Sequence, residues 1–518
     1  MNKKNAAGTV SFIFIAIMLS KVLGQVREMV IAAIYGTSTQ ASAYFMASQL
    51  PVSFFDMILG SAISSAFIPV YNMFMENDGK ERANLFATRF LNVIILATAV
   101  ISALGIAFAG PIMSVFGPSL DMSTKVLAAE LLQIMFPMLI FTGMAFVFVG
   151  LLQSQGEFKI PAIMSIVSNA VCILYLFTLN KYFGIYGLAV SLVIGWVLQF
   201  IILAVPARKK GYRHSFKAGF ADSGLKNVAA LALPVLFASW VQPINATVNM
   251  SIASGFADGS GPSILNYANR LYIIAASVFA VSLTNYTFPK LSRLSIAKEG
   301  REWSDVVAGS IKLVLLIVIP IALVFLLQGE EIIRIIYQRG EFDETAVKMT
   351  SAAMFWYSIG MVWYSAQEIF NKAFYSVHDT KTPLIASVGS IITNVALSFI
   401  LSKYMGISGL ALAASVSAFV WCIFSGVMLK SRFFKESFKD LQLIKIIVMA
   451  LVFALTVFFV RRFMCASVGV ENLINRIITF AVPAIAGLAV YIILAFILKI
   501  KELDFIRNKL SKGGTVND

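Results

Sequence analysis

The chain has 518 residues, of which 59% are apolar and only 13% charged, and its net charge is +15. A soluble protein of this length carries about 25% charged residues and could not hide so much apolar surface, so lipid is its solvent. There is no Walker A loop, no HExxH, no CxxC pair and no Ser/His/Asp arrangement, which leaves an ATP-driven pump or a membrane enzyme without support.

Roughly fourteen apolar stretches follow one another, each long enough to cross ~30 Å of hydrocarbon at about 1.5 Å per residue. Gly, Pro and polar residues interrupt them, as in helices packed on one another, and the alternation of a membrane β-barrel is absent. Lys3 and Lys4 precede the first stretch, which itself contains Lys21, Arg27 and Glu28 and has no small-residue cleavage site. It reads as a retained span rather than a signal peptide. The expected spans are 8–35, 41–73, 84–109, 126–152, 160–179 and 185–205, then 227–253, 263–294, 306–327, 345–375, 383–401 and 407–429, with a final pair at 443–461 and 474–498. Cys172, Cys422 and Cys465 lie inside these stretches and read as small buried hydrophobes, while His214 and His378 fall in expected loops.

The first twelve spans are one unit written twice. NKYFGIYGL at Asn180–Leu188 returns as SKYMGISGL at Ser402–Leu410, 222 residues later, and Pro161 returns as Pro383 at the same spacing. Gly79 and Gly300 are 221 apart, and Pro69 and Pro289 are 220 apart. Each copy holds an even number of spans, so the copies are parallel, related by an axis near the membrane normal. The expected fold is therefore all-α and integral to the membrane, with fourteen transmembrane helices. Two parallel six-helix repeats enclose a central cavity, and two C-terminal helices lie outside the repeat. The N-lobe takes residues 1–206, a basic linker 207–226, the C-lobe 227–429, and the extra pair with a basic tail 430–518.

Alternate loops differ in charge. One set carries Lys80, Arg82, Arg89, Lys159, the run from Arg208 to Lys226, Lys290, Arg293, Lys381 and Lys430; the opposite set is sparse. The basic loops and both termini are thus expected in the cytoplasm. This rule accounts for much of the positive charge and leaves no separate patch for nucleic acid. The 207–226 run reads as an inter-lobe linker, with contact to membrane lipids as the lesser alternative.

Within span 1, Lys21, Gln25 and Glu28 fall within about 60° of helix arc, and Ser20, Gly24 and Arg27 widen it to about 160°. Leu19, Val22, Leu23 and Val26 fill the other side. A charge near the bilayer centre costs at least ~2.5 kcal/mol, so this arc is expected to face water or protein, with Glu28 holding a basic neighbour. The alternative is a span that ends near Ser20 with solvated charges beyond. Span 8 supplies Asn266, Asn269 and Arg270; its alternative is an arginine snorkelling at the interface. Cations from both lobes fit an anionic substrate, above all one with phosphates, and arginine's fork suits these. Asp56 reads as a counter-ion for Arg27 or Lys21, or equally as an interfacial carboxylate. Asn394 and Ser398 in span 11 are a weak cation site, more often interhelical hydrogen-bond glue. No cofactor is expected.

With these residues in view, the chain resembles the MurJ/MviN lipid II flippase family, within the superfamily that includes multidrug (MATE) and polysaccharide exporters. The resemblance rests on SKVLGQVRE in span 1, PVSFF and SSAFIPVY in span 2, and GLLQSQGEFKIPA after span 4. YANRL and FPKLS in span 8, IIYQRGEFD after span 9 and AFYSVHDTKTP before span 11 extend it. It implies a bacterial inner-membrane transporter, not an enzyme, whose cargo is a lipid-linked pyrophosphate, lipid II, with cell-wall synthesis proteins as further partners. It implies that Lys21, Arg27 and Arg270 engage the pyrophosphate, supported by Ser20, Gly24, Glu28, Asp56, Asn266 and Asn269, and that the last two spans form a groove for the lipid tail. Departures stand at Ser42 and Phe55, where the family commonly has an aspartate and an arginine, and at Ser398, where some members have a carboxylate. Three other readings stay open: a flippase for another undecaprenyl-linked saccharide, a MATE-like exporter, and a non-transporting scaffold in wall synthesis.

Overall fold

The computed structural model describes residues 3–55, 66–230, 240–297, 300–433 and 442–500. Among them the regular structure is helical. In chain order the long helices are α1 (Lys3–Tyr35), α2 (Thr39–Phe55), α3 (Ile68–Asn77), α4 (Gly79–Ala107), α5 (Ala109–Phe116), α6 (Met122–Met135), α7 (Met138–Ser154), α8 (Lys159–Thr178) and α9 (Asn180–Lys209). They continue with α10 (Val241–Ala253), α11 (Gly261–Ile296), α12 (Gly300–Tyr337), α13 (Glu344–Ser376), α14 (Lys381–Met405), α15 (Ile407–Phe433), α16 (Leu443–Val468) and α17 (Leu473–Ile497).

Among the described residues ten segments are long and apolar enough to cross a membrane, against fourteen expected spans. The expected first span lies in α1, where Lys21, Arg27 and Glu28 interrupt the apolar run, and the tenth is the serine- and tyrosine-rich α13. The second and seventh run partly through residues outside the description. Two spans differ in shape from the reading of the sequence. Span 4 is two helices, α6 and α7, broken at Pro137, which has no amide for the ladder and crowds the preceding turn. Span 9 continues past Leu327 to Tyr337 after a bend at Gln328 (φ −127°, ψ 18°), so residues 329–337 are also helical.

The chain forms two compact units. The first holds residues 1–263 and Arg339–Phe342, the second 264–338 and 343–518. The expected boundary lay in the linker at 207–226. The first unit instead runs on through α10, because that helix packs on α2 and α5, with Ser53 Oγ 3.4 Å from Thr247 Oγ1. At its end the Ser263 amide donates to Ser42 Oγ at 3.3 Å. Arg339–Phe342 joins through the Glu341 amide, which donates to the Ala33 carbonyl at 2.9 Å.

Inside the first unit α8 packs on α9, α7 on α9 and α4 on α7; inside the second, α14 packs on α15, α13 on α15 and α12 on α13. The two lists name equivalent helices, so the sequence repeat is a repeat of packing. NKYFGIYGL and SKYMGISGL are the turns at which α8 reverses into α9 and α14 into α15. Each needs its glycine, because Gly184 and Gly406 sit at φ +52° and +58°, where a β-carbon is strained. The first unit's core is aromatic: Phe67, Tyr71, Phe74, Phe86 and Phe90 stack between α3 and α4 and meet Phe148 and Tyr212. In the second unit α16 and α17 lay Met449, Phe453, Val457 and Tyr491 on Leu316 of α12. That apolar seam is closed by polar ties, Arg476 to Glu331 at 3.2 Å and Arg461 Nη1 to the Leu327 carbonyl at 2.5 Å.

Candidate functional site

The polar arc of α1 turns toward protein and its apolar side turns outward. Gly24 and Glu28 are buried, Ser20, Lys21, Gln25 and Arg27 are half-buried, and Leu19 and Val22 are exposed. Helix α1 runs unbroken to Tyr35, so the residues that follow Ser20 continue the same helix. Asn169 of α8, against which α1 packs, reaches the Ser20 carbonyl at 3.4 Å.

Arg27 Nη2 donates to Glu28 Oε1 at 2.7 Å, with the two side chains 16% and 4% exposed. Adjacent helical residues point about 100° apart, so this bond draws the guanidinium sideways along the helix face. Tyr44 of α2 and Cys172 of α8 lie within electrostatic reach of it. Arg27 Nε and Glu28 Oε2 are buried without a hydrogen-bond partner among the described residues. A charged pair with donor and acceptor capacity left over is poised to take a further polar ligand, because leaving such atoms unmet is costly in a dry setting.

In the second unit Arg270 stands on α11 and is exposed. No carboxylate pairs with it among the described residues. Asn266 and Asn269 are half-buried beside it, and Asn269 hydrogen-bonds Tyr357 of α13. Tyr272 stacks on Tyr357 with ring centroids 5.2 Å apart and tilts against Tyr364 at 5.8 Å. These tyrosines escape a reading by charge alone; the heptad spacing of Tyr357 and Tyr364 was their only signal.

Asp56 lies outside the described residues. Asn394 and Ser398 are both fully buried on α14, and neither amide atom of Asn394 has a partner among the described residues. Neutral oxygen donors of this kind suit an alkali cation better than a transition metal. Among the described residues no cluster of three His, Cys, Asp or Glu could hold a metal ion.

On the cytoplasm-assigned side of the sequence reading, the linker after α9 is folded onto α4. The side chain of Asp222 is fully buried and takes Arg82 through both oxygens, at 2.8 and 3.0 Å, Arg89 at 3.1 Å and the Gly224 amide at 2.8 Å. Burial alone would raise this carboxyl; the bonds from Arg82, the Gly224 amide and Arg89 outweigh it and hold the group below the usual range.

The profile of the family described as "Lipid II flippase MurJ" matches residues 31–493. A probable lipid II flippase MurJ of Treponema pallidum is 28% identical over 424 residues, covering 80% of both chains. The lipid II flippase MurJ of Burkholderia cenocepacia is 27% identical over 418 residues, covering 77% of this chain and 79% of its own. A solved lipid II flippase MurJ in an inward closed conformation superposes with a TM-score of 0.80 at 24% identity, over 96% of this chain and 99% of that one. An inward-facing MATE family transporter of the MOP superfamily gives a TM-score of 0.67 at 14% identity, over 80% of this chain and 99% of that one. These two likenesses are of fold, an all-helical membrane transporter. The chain belongs to the lipid II flippase MurJ family.

Proposed function

We propose that the chain moves lipid II, an undecaprenyl-pyrophosphate-linked peptidoglycan precursor, from the cytoplasmic to the outer leaflet by alternating access. Membership of the family over residues 31–493 is the observation that carries this reading. The loop charges add its orientation: basic loops and both termini in the cytoplasm of a bacterium, the protein lying in its inner membrane.

Lys21 and Arg27 of the first unit and Arg270 of the second are the groups assigned to the pyrophosphate. Arginine offers a planar fork that phosphate oxygens match in pairs. Glu28 serves as the orienting partner: its bond to Nη2 leaves Arg27 Nε free to donate. Ser20, Gly24, Asn266 and Asn269 supply the polar and small surroundings of these cations, and Asp56 is assigned to the same support. A contact that strengthens as the carrier changes state would couple cargo binding to the transition.

Complementation of a bacterium depleted of its own MurJ tests the reading, scored by lipid II at the outer surface. Restored growth with surface lipid II supports it. Restored growth without surface lipid II would move the scaffold reading to the front, and flipping of a different polyprenyl saccharide would replace the cargo.

A further inference from the structure

The run 207–226, which starts in the last turn of α9, carries six basic residues, Arg208, Lys209, Lys210, Arg213, Lys217 and Lys226, and a single acid, Asp222. That acid is spent inward, buried against Arg82 and Arg89. The backbone is pinned as well. Arg89 Nε donates to the Ala218 carbonyl at 3.0 Å, Asn92 Nδ2 to the Gly219 carbonyl at 3.0 Å, and His214 Nε2 lies 2.8 Å from Asn92 Oδ1. What this scaffold turns outward is unusual for a polar loop. Phe216 is 63% exposed and Phe220 49% exposed, in a short turn with Arg213 and Lys217 exposed around them.

Two phenyl rings held in the open by a rigid, satisfied backbone are costly in water. Since α9 is long and apolar enough to cross a membrane and ends at Lys209, a turn that follows it directly falls near a bilayer surface whichever way the protein is inserted. Rings and lysines together match the interface of an anionic bilayer, where apolar bodies enter the headgroup layer and ammonium and guanidinium groups meet phosphate. The parts of this chain beyond the described helices do not offer a matching charge: residues 501–518 hold four basic and three acidic side chains, and 434–441 hold two of each. We propose that the turn at 213–220 is a docking surface for anionic phospholipid headgroups, fixed in place by the Asp222 ion pairs.

The test uses the full chain in vesicles with brominated acyl chains, with Phe216→Trp as reporter and wild-type emission subtracted. With phosphatidylglycerol in both leaflets, emission from the reporter indole is expected to shift to the blue and to be quenched; in phosphatidylcholine alone the quenching weakens. Lys209→Gln, Arg213→Gln and Lys217→Gln together should raise the anionic fraction needed for half-maximal quenching, at about fivefold in affinity per base removed. Phe220→Ser should weaken quenching without moving the Asp222 contacts. Water-like emission without quenching in anionic vesicles would overturn the proposal, as would quenching indifferent to lipid charge. A change in emission on deleting residues 501–518 would overturn it in favour of the tail as occupant. Since both leaflets carry the same lipid, the outcome is independent of orientation and of whether the chain flips lipid II.

Discussion

Gly156 and His378, 222 residues apart, hold the same left-handed turn position at the start of α8 and α14, with φ of +76° and +59°. In each case the following residue closes the preceding helix by a long bond, Glu157 amide to the Leu152 carbonyl at 2.8 Å and Asp379 amide to the Phe374 carbonyl at 3.0 Å. Each acid then accepts the amide two residues on, Lys159 at 3.3 Å and Lys381 at 3.1 Å. The repeat thus reaches individual caps, and one copy carries a histidine where the turn favours glycine.

His378→Gly should therefore stabilise the protein, by about 0.5 kcal/mol after the entropy of glycine is set against the relief of strain. Gly156→Ala should destabilise by about 1 kcal/mol. Thermal melts in one detergent compare both; an unchanged or lower midpoint for His378→Gly would contradict the relationship.

Asp121 and Asp343 form a second equivalent pair, each capping a helix by accepting an amide three residues on, Thr124 at 3.0 Å and Ala346 at 2.7 Å. Replacing either by alanine should cost about 1 kcal/mol. The hydroxyl of Ser123, with the side chain and amide of Thr124, brings the Asp121 carboxyl down to about 2. A depressed folded value means its contribution is present above the ordinary carboxylate range and is lost as the pH falls toward about 2. The stability of Asp121→Asn should accordingly depend less on pH in that acidic window than that of the wild type.

Asp222→Asn should release the linker from α4. Hydrogen exchange at the Gly224 amide should quicken, and limited proteolysis should cut between Lys210 and Lys226. A double-mutant cycle of Arg82→Ala with Asp222→Ala should give more than the ~1 kcal/mol of an exposed pair, since Asp222 is buried and bidentate. The carboxyl is held low, so the wild-type linker should loosen only as the pH falls below the ordinary carboxylate range. A coupling near zero would show the contact to be incidental.

Orientation has its own check. Cysteines placed at Ser38 and Ser215 should differ, with only the former labelled by an impermeant thiol reagent on intact cells. Equal labelling from outside would defeat the assigned topology.

Helix positions were legible in sequence because apolar length and the 222-residue repeat are robust signals, and the turn glycines Gly184 and Gly406 were visible in the repeated motif itself. The break at Pro137 and the bend at Gln328 were not, because an apolar run reads the same whether its helix is continuous or broken. The attachment of α10 to the first unit was illegible, since it rests on tertiary contacts such as Ser53 with Thr247 rather than on chain order. At the candidate site, the rarity of charge in a span pointed to Lys21, Arg27, Glu28 and Arg270 before any coordinates. Tyr44 and Cys172 beside Arg27, and the tyrosines beside Asn269, carry no such rarity. Their neighbourhood comes from packing alone.

The central claim is that Arg27, oriented by Glu28, and Arg270 bind the pyrophosphate of lipid II. The most direct measurement is lipid II appearing on the outer leaflet of a MurJ-depleted bacterium that expresses variants of this chain at equal membrane level. Arg27→Ala strands a buried carboxylate, so it is paired with an Arg27→Ala, Glu28→Gln variant that does not. Both should lower flipping by about tenfold or more, the worth of a charge-assisted hydrogen bond. Arg270→Lys should fall short of wild type because a point charge lacks the fork. Wild-type flipping by the Arg27→Ala, Arg270→Ala double variant would contradict the account.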